Sequence, residues 1–222
     1  MNKRQKKKAQ KKRAYPPYVS AKRRRKNKYL CERYPFLIPR NIFTDKIIWT
    51  CKPYDWTLAE DFPTGWWKAF GIQFCEELRA ELLKYNYLKE YRVVQIKEKF
   101  ASLRFYDNGY PKDSEISDII GDYSALSENI CMVCGRPDTP VIDTGWYEPL
   151  CKSCYEKQMN HRKKYVKEIP KYEDLICDDT GIMPNERTYT TYSHGNDERI
   201  TRDISTKANQ IRARWRASHG DN

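Results

Sequence analysis

Four cysteines constrain this chain more than any other feature: Cys131-Met-Val-Cys134 and Cys151-Lys-Ser-Cys154, separated by a sixteen-residue interval. Two C-x2-C knuckles at that separation supply four thiolates, enough to complete the tetrahedral shell of one zinc ion and leave no open position for water or substrate. The spacing predicts a zinc ribbon with one structural Zn2+ held by Cys131, Cys134, Cys151 and Cys154. Gly135 follows Cys134 directly, where such a turn needs a permissive backbone. A closed site of this kind builds a scaffold, so function must be sought in other residues.

Charge is distributed unevenly. The 222 residues carry 42 Lys and Arg against 30 Asp and Glu, a formal net charge of +12. Residues 1–28 hold fourteen of the cations and no acid, leaving 28 basic and 30 acidic groups in the rest of the chain. The first cluster contains Lys3, Arg4, Lys6, Lys7, Lys8, Lys11, Lys12 and Arg13, and the second Lys22, Arg23, Arg24, Arg25, Lys26 and Lys28. Tyr15-Pro-Pro-Tyr18 lies between them. Like charges this dense keep a segment extended until an anion neutralises it, so residues 1–30 are expected to form a disordered basic arm. Along a phosphate backbone such an arm releases condensed counterions, giving sequence-independent, salt-sensitive affinity, with Tyr15, Tyr18 and Tyr29 available for stacking. The twelve cations from Lys6 to Lys28 within these clusters are therefore the candidate nucleic-acid-binding residues. An arm that docks an acidic protein surface, or only aids solubility, is the alternative reading.

Eight cysteines without a secretory leader suggest a reducing compartment, and no apolar run approaches the length of a membrane helix. A cytoplasmic protein is expected. A mean hydropathy of -0.92 with 39% hydrophobic residues fits one real core with polar ends.

Ordered structure is expected to begin near Tyr34. Ile42 to Trp56 is rich in aromatic and β-branched residues and reads as one or two short strands. A helix over 66–87 places Trp67, Phe70, Phe74, Leu78, Leu82 and Tyr85 on one face. Strands over 91–96 and 102–106 form a hairpin, with Asn108-Gly109 as a turn. A second helix starts at a Ser114 cap and runs to about Leu126. Trp146 and Tyr147, between the knuckles, read as ribbon core. A charged helical stretch follows Cys154, residues 178–199 read as a polar loop, and Ile204, Ala208, Ile211 and Trp215 line a short basic helix. That helix either docks on the core or serves a partner. The organisation expected is a basic arm (1–30), an α+β core (31–128), the ribbon (129–157), a helical extension (158–177) and a polar tail (178–222). The fold class is α+β: a small mixed domain with a β-hairpin, two main helices and the ribbon.

Several motifs carry a resemblance. Glu32-Arg-Tyr-Pro-Phe-Leu-Ile-Pro-Arg40, Pro63-Thr-Gly-Trp66 with Ala69-Phe-Gly71, Gln95-Ile-Lys-Glu-Lys-Phe100 with Leu103-Arg-Phe-Tyr106, and the two knuckles together resemble a group of uncharacterised zinc-ribbon proteins that recur in bacteriophage and prophage genomes. The resemblance spans residues 31–157 and implies a phage context without supplying a mechanism. More locally, Asn129-Ile-Cys131-Met-Val-Cys134-Gly135 with Leu150-Cys151-Lys-Ser-Cys154 is similar to the zinc finger of DksA/TraR regulators, which act on RNA polymerase. Those proteins place a long coiled coil before the finger, whereas here a hairpin and a short helix stand in that place.

Catalytic constellations are missing from the sequence. A nuclease of the HNH type also pairs C-x2-C knuckles, but it requires a histidine between them, and residues 135–150 contain none. The three histidines, His161, His194 and His219, lie beyond the ribbon. There is no P-loop, G-x-S-x-G or H-E-x-x-H, and Asp178-Asp179 lacks a second acidic cluster for magnesium. Cys75 reads as a core thiol. No enzymatic activity and no small-molecule substrate are expected. The leading expectation is a nucleic-acid-binding accessory protein of phage or prophage origin, and the alternative is a protein-binding modulator of a host enzyme or defence complex.

Overall fold

The structure, a computed structural model, describes residues 19–162, 169–177 and 197–220, the side chains of 197–203 excepted. It is a mixed helix and strand protein with two two-stranded antiparallel sheets. Lys6 to Arg13, Tyr15, Tyr18 and Asp178-Asp179 lie outside the described residues.

Order begins earlier in the chain than expected. Helix α1, Ala21–Arg33, starts at Ser20, whose hydroxyl accepts from the Arg23 N–H at 3.2 Å, and it buries Asn27, Leu30 and Cys31. The second basic cluster therefore belongs to a helix docked on the body, and residues 21–30 are not part of an extended arm. Burial of Leu30, worth roughly 1.5–3 kcal/mol, and of Cys31 contributes to outweighing the charge density. Arg33 adds a two-toothed pair to Glu76 at 2.7 and 2.9 Å, and the Tyr34 hydroxyl donates to the same carboxylate at 2.6 Å.

Residues 40–56 form turns instead of the expected strands, with one isolated bridge between Arg40 and Ile47. Asp45 and Tyr54 adopt left-handed backbone, and Phe43 is 87% exposed. This segment is held by the Asp55 carboxylate, which accepts N–H groups from Thr50, Cys51 and Lys52 at 3.2, 2.6 and 3.2 Å.

Helix α2 is made of Thr64–Trp66, a π-turn at Trp67–Gly71, and Ile72–Lys84, running on without a break. The Trp67 ring lies over Gly71, where an added Cβ would sit 2.4 Å from it. The extra residue in the turn shifts the register, so Trp66 is buried in place of Trp67, and Phe70, Phe74, Leu78 and Leu82 follow it into the core. Tyr85 stays 39% exposed. Strands β1 (Val93–Lys99) and β2 (Ser102–Asp107) pair in register from Lys99↔Ser102 to Gln95↔Tyr106, with a bulge at Val94. Their turn is Phe100-Ala101, both with positive φ, so Asn108-Gly109 lies past the hairpin and not at its tip. Phe74 meets Phe105 edge-on at 4.9 Å and Tyr123 at 5.0 Å, which marks the centre of the core.

Helix α3, Ile116–Ser127, is capped from outside its own sequence: the Glu115 N–H donates to the buried Glu81 carboxylate of α2 at 3.1 Å. Ser114 instead donates to the Pro111 carbonyl at 2.6 Å. The ribbon hairpin follows as β3 (Val141–Asp143) and β4 (Tyr147–Pro149), then helix α4, Lys152–Arg162. Residues 169–177 are not helical throughout; a 3-10 turn at Tyr172–Leu175 leads to an Ile176 bridge with Ile142.

The last helix, α5, spans Asp197–His219, longer than the short helix expected. Ile211 is buried, Ile204 and Ala208 pack on the same core, and Lys207 reaches both Glu77 and Asp122. Arg212 pairs with Asp138 and Arg214 donates to Gln73 at 2.8 Å. Of the two readings of this helix, docking on the body is the one realised by its apolar stripe.

Candidate metal centre and nucleic-acid interface

The cysteine cluster is built from three short elements. The first knuckle is closed by its own backbone, with the Gly135 N–H donating to the Cys131 carbonyl at 2.9 Å and Cys131 N–H to Arg136 at 2.8 Å. Gly135 has φ +91°, a conformation that only glycine adopts without strain. The second knuckle forms at the start of α4, where Cys154 and Tyr155 N–H groups both return to the Cys151 carbonyl at 2.9 Å. Met132 N–H then joins the two halves through the Pro149 carbonyl at 2.9 Å.

This brings the four sulfurs within 4.8 Å of one another, Cys134 and Cys151 being 3.7 Å apart. A tetrahedron of thiolates at about 2.3 Å from a central zinc has sulfur–sulfur edges of roughly 3.8 Å. The site fits such an ion in number, spacing and ligand type. Cys131, Cys151 and Cys154 are buried and Cys134 half-buried, so ionising them together without a counter-charge is costly. Hydrogen bonds from the Cys134 and Cys151 thiols hold Cys131 well below the ordinary thiol range. Cys134 is raised, first by its own hydrogen bond to Cys131, and Cys154 is pushed up to about 12, chiefly by burial. The four thiols titrate as one coupled set, and ionising all of them calls for a cation among them.

A small second core backs the site: Ile142, Leu150, Tyr155, Met159 and Tyr172 pack beside the cysteines. The Tyr172 hydroxyl donates to the Leu150 carbonyl at 2.9 Å, and Cys177 N–H to Val141 at 3.0 Å, so residues 169–177 brace the ribbon. Sequence periodicity gave no sign of this, because Tyr172 and Ile176 sit among charged residues. Trp146, expected in the ribbon core, is 79% exposed at the hairpin tip. Lys152 is engaged by Glu173, whereas Lys157 is exposed.

Of the candidate basic residues on α1, Arg23 pairs with Glu60, Arg24 donates to the Val19 carbonyl at 2.9 Å, and Lys28 lies 3.5 Å from Glu32. Lys22, Arg25 and Lys26 are exposed with no ion pair among the described residues, and Tyr29 beside them is 60% exposed. Positions 22, 25, 26 and 29 share one helix face. Cys75 is a core thiol, fully buried and raised by that burial. Among the described residues no helix is long and apolar enough to cross a membrane.

Fold and site together define an α+β protein with a four-cysteine cluster able to hold a metal ion. No family model, no curated protein and no solved structure matches the chain.

Proposed function

We propose that the chain is a zinc-ribbon nucleic-acid-binding accessory protein, in which one structural Zn2+ at Cys131, Cys134, Cys151 and Cys154 holds the ribbon and the basic N-terminal region supplies affinity. The observation that carries the reading is the face of α1 formed by Lys22, Arg25, Lys26 and Tyr29, directly continuous with a segment carrying eight further cations and no acid. Three cations released from internal pairing, with an exposed aromatic one turn on, match what a phosphate backbone and an unstacked base require. Arg23, paired with Glu60, ties that face to the body. The phage or prophage setting rests on the resemblance described above.

The test is anisotropy titration of labelled duplex DNA, single-stranded DNA and structured RNA across salt, with the full chain and the variant Lys22→Glu/Arg25→Glu/Lys26→Glu. Binding should be salt-steep, and the variant should flatten the log–log slope by roughly 3, at about 0.9 per lost phosphate contact on duplex DNA. Absence of binding at low salt, or a slope indifferent to the three substitutions, overturns the reading. Metal analysis of protein purified without added metal should return one zinc per chain.

A further inference from the structure

A groove of about 890 Å³ runs beside β1, and six consecutive residues of that strand, Val93 to Glu98, form one of its sides. The two outer edges of the hairpin are treated differently. On the β2 side, Leu103 N–H donates to the Ser127 hydroxyl at 2.8 Å and its carbonyl accepts from the Ser124 hydroxyl at 2.7 Å, so α3 satisfies that edge. Outward and inward groups alternate along an antiparallel pair. Since Leu103 faces away from β1, its partner Glu98 faces away from β2, and so does Ile96 opposite Phe105. Their main-chain N–H and C=O groups point along the sheet plane into the groove, and among the described residues no backbone hydrogen bond ties Val94–Glu98 to anything beyond the hairpin.

The Nε of Arg40 is the one buried side-chain nitrogen or oxygen among the described residues without a hydrogen-bond partner, and Arg40 lines this groove. Its guanidinium is held in position through Nη1, which bonds the Asp45 carbonyl at 2.8 Å and carboxylate at 3.1 Å. Being buried, that nitrogen is out of reach of a ligand in the groove, and Arg40 contributes a wall and a charge.

The remaining walls are apolar: Pro39, Ile48, Trp56, Met132 and Val133. Asp61 and Glu98 balance Arg40 and Lys97 in charge, so the groove repels a polyphosphate as much as it attracts one. An open strand edge, apolar walls and no net charge together describe the complement of a single extended peptide.

We propose that this groove binds an extended, largely uncharged peptide segment of a partner protein, which adds as a third strand to β1. Its main chain pairs with Ile96 and Glu98, and alternate apolar side chains rest against Ile48, Trp56 and Val133. The bulge at Val94 and the charge at Lys99 blunt the strand at both ends, which confines pairing to a short segment and disfavours open-ended sheet growth. This site is separate from the basic face of α1, and its test does not depend on nucleic-acid binding.

The experiment selects twelve-residue peptides from a random displayed library against the full chain loaded with zinc, then measures each selected peptide, synthesised with a fluorophore, by anisotropy. Wild type and the distant surface variant Leu83→Arg should bind alike. Ile48→Arg, which places a cation on the groove wall at a position 43% exposed, should abolish binding. Backbone N-methylation of one alternate set of peptide residues should abolish binding, while methylation of the other set leaves it intact. Amide exchange at Ile96 and Glu98 should slow in the complex. Failure to select any peptide sensitive to Ile48→Arg, or indifference to which set is methylated, overturns the proposal. So does a concentration-dependent dimer that Ile48→Arg dissolves, since the occupant would then be a second copy of the chain.

Discussion

Gly65 and Gly135 meet backbone to backbone. A Cβ on Gly135 would lie 2.7 Å from the Gly65 carbonyl oxygen, and a Cβ on Gly65 would lie 2.6 Å from Gly135 N and 2.1 Å from the Cys131 carbonyl oxygen. Gly65 N–H also donates to Met132 at 2.8 Å, and the next residue, Trp66, donates its indole N–H to Ile130 at 2.7 Å. The start of α2 is thereby fixed against the first knuckle, which couples the metal centre to the main core.

Gly65→Ala should accordingly destabilise both. The obstructing atoms are backbone, which cannot swing aside as a flexible side chain would, so the cost is expected at roughly 1–3 kcal/mol or above. Urea unfolding gives the stability loss, and release of metal to a chromogenic chelator should quicken in the same variant. An unchanged release rate with lowered stability would mean that the core and the cysteine cluster are not coupled through this contact.

Cys131→Ser and Cys151→Ser remove one ligand from each knuckle. Each should lower metal content to well under one ion per chain and cost a large part of the roughly 10–16 kcal/mol that a structural zinc site supplies in small finger peptides. The main core has its own buried aromatics, so helical circular dichroism should survive while Tyr172 and the ribbon lose protection in hydrogen exchange. Full metal occupancy in either variant would contradict the four-ligand assignment.

Much of this arrangement was legible in the sequence because it rests on local rules. Paired C-x2-C spacing placed the cluster, and the 3–4 periodicity placed Phe70, Phe74, Leu78 and Leu82 on the core face of α2. The features that were not legible depend on distant partners. The π-turn goes with burial of Trp66 in place of Trp67, and the Trp66 indole bonds Ile130, 64 residues on. The cap of α3 comes from Glu81, 34 residues before Glu115 in the chain. The Phe100-Ala101 turn has neither Asn nor Gly, so its left-handed backbone is imposed by the register of β1 and β2. The basic cluster at 22–28 reads as extended by composition, yet Ser20, Leu30 and Cys31 hold it in a helix. Tyr172 is visible only once the chain has turned back on the ribbon.

Lys207 links α5 to the body from a site where its side chain is 14% exposed, 3.1 Å from Glu77 and paired with Asp122, which is 8% exposed. Burial alone would lower this ammonium, but Asp122 and Glu77 together raise it above its ordinary value. Lys207→Met removes the ammonium that Glu77 and Asp122 share, at an expected cost of about 3–5 kcal/mol. Adding Glu77→Gln and Asp122→Asn should restore most of the loss, because a neutral set does not need the cation. Denaturant midpoints of the single and triple variants decide the matter; a triple variant no more stable than the single one would show that packing of the Lys207 stem, over the Tyr123 ring at 4.9 Å, matters more than charge.

Two buried carboxylates contribute stability that acid removes. Burial pushes Asp55 up, but the N–H groups of Cys51, Lys52 and Thr50 outweigh it and hold the carboxyl below its ordinary value. Burial likewise raises Glu81, and the Lys84 ammonium with the Glu115 N–H brings it below. A carboxylate depressed in the folded state contributes stability that is fully present above its unfolded pKa, about 3.9 for Asp and 4.3 for Glu, and is lost as pH falls through the lower folded value. Asp61, Glu98 and Glu128 are raised by burial and act in the opposite sense, and any ion in the cysteine cluster is released as its thiolates protonate. Those contributions are common to wild type and variant, so the difference between their profiles isolates each group. Asp55→Asn should cost roughly 1–3 kcal/mol at pH 7, with the gap to wild type closing below about pH 4. Glu81→Gln should behave the same way, whereas a gap that stays constant down to pH 3 would mean that the negative charge contributes nothing and only the shape of the acceptor matters.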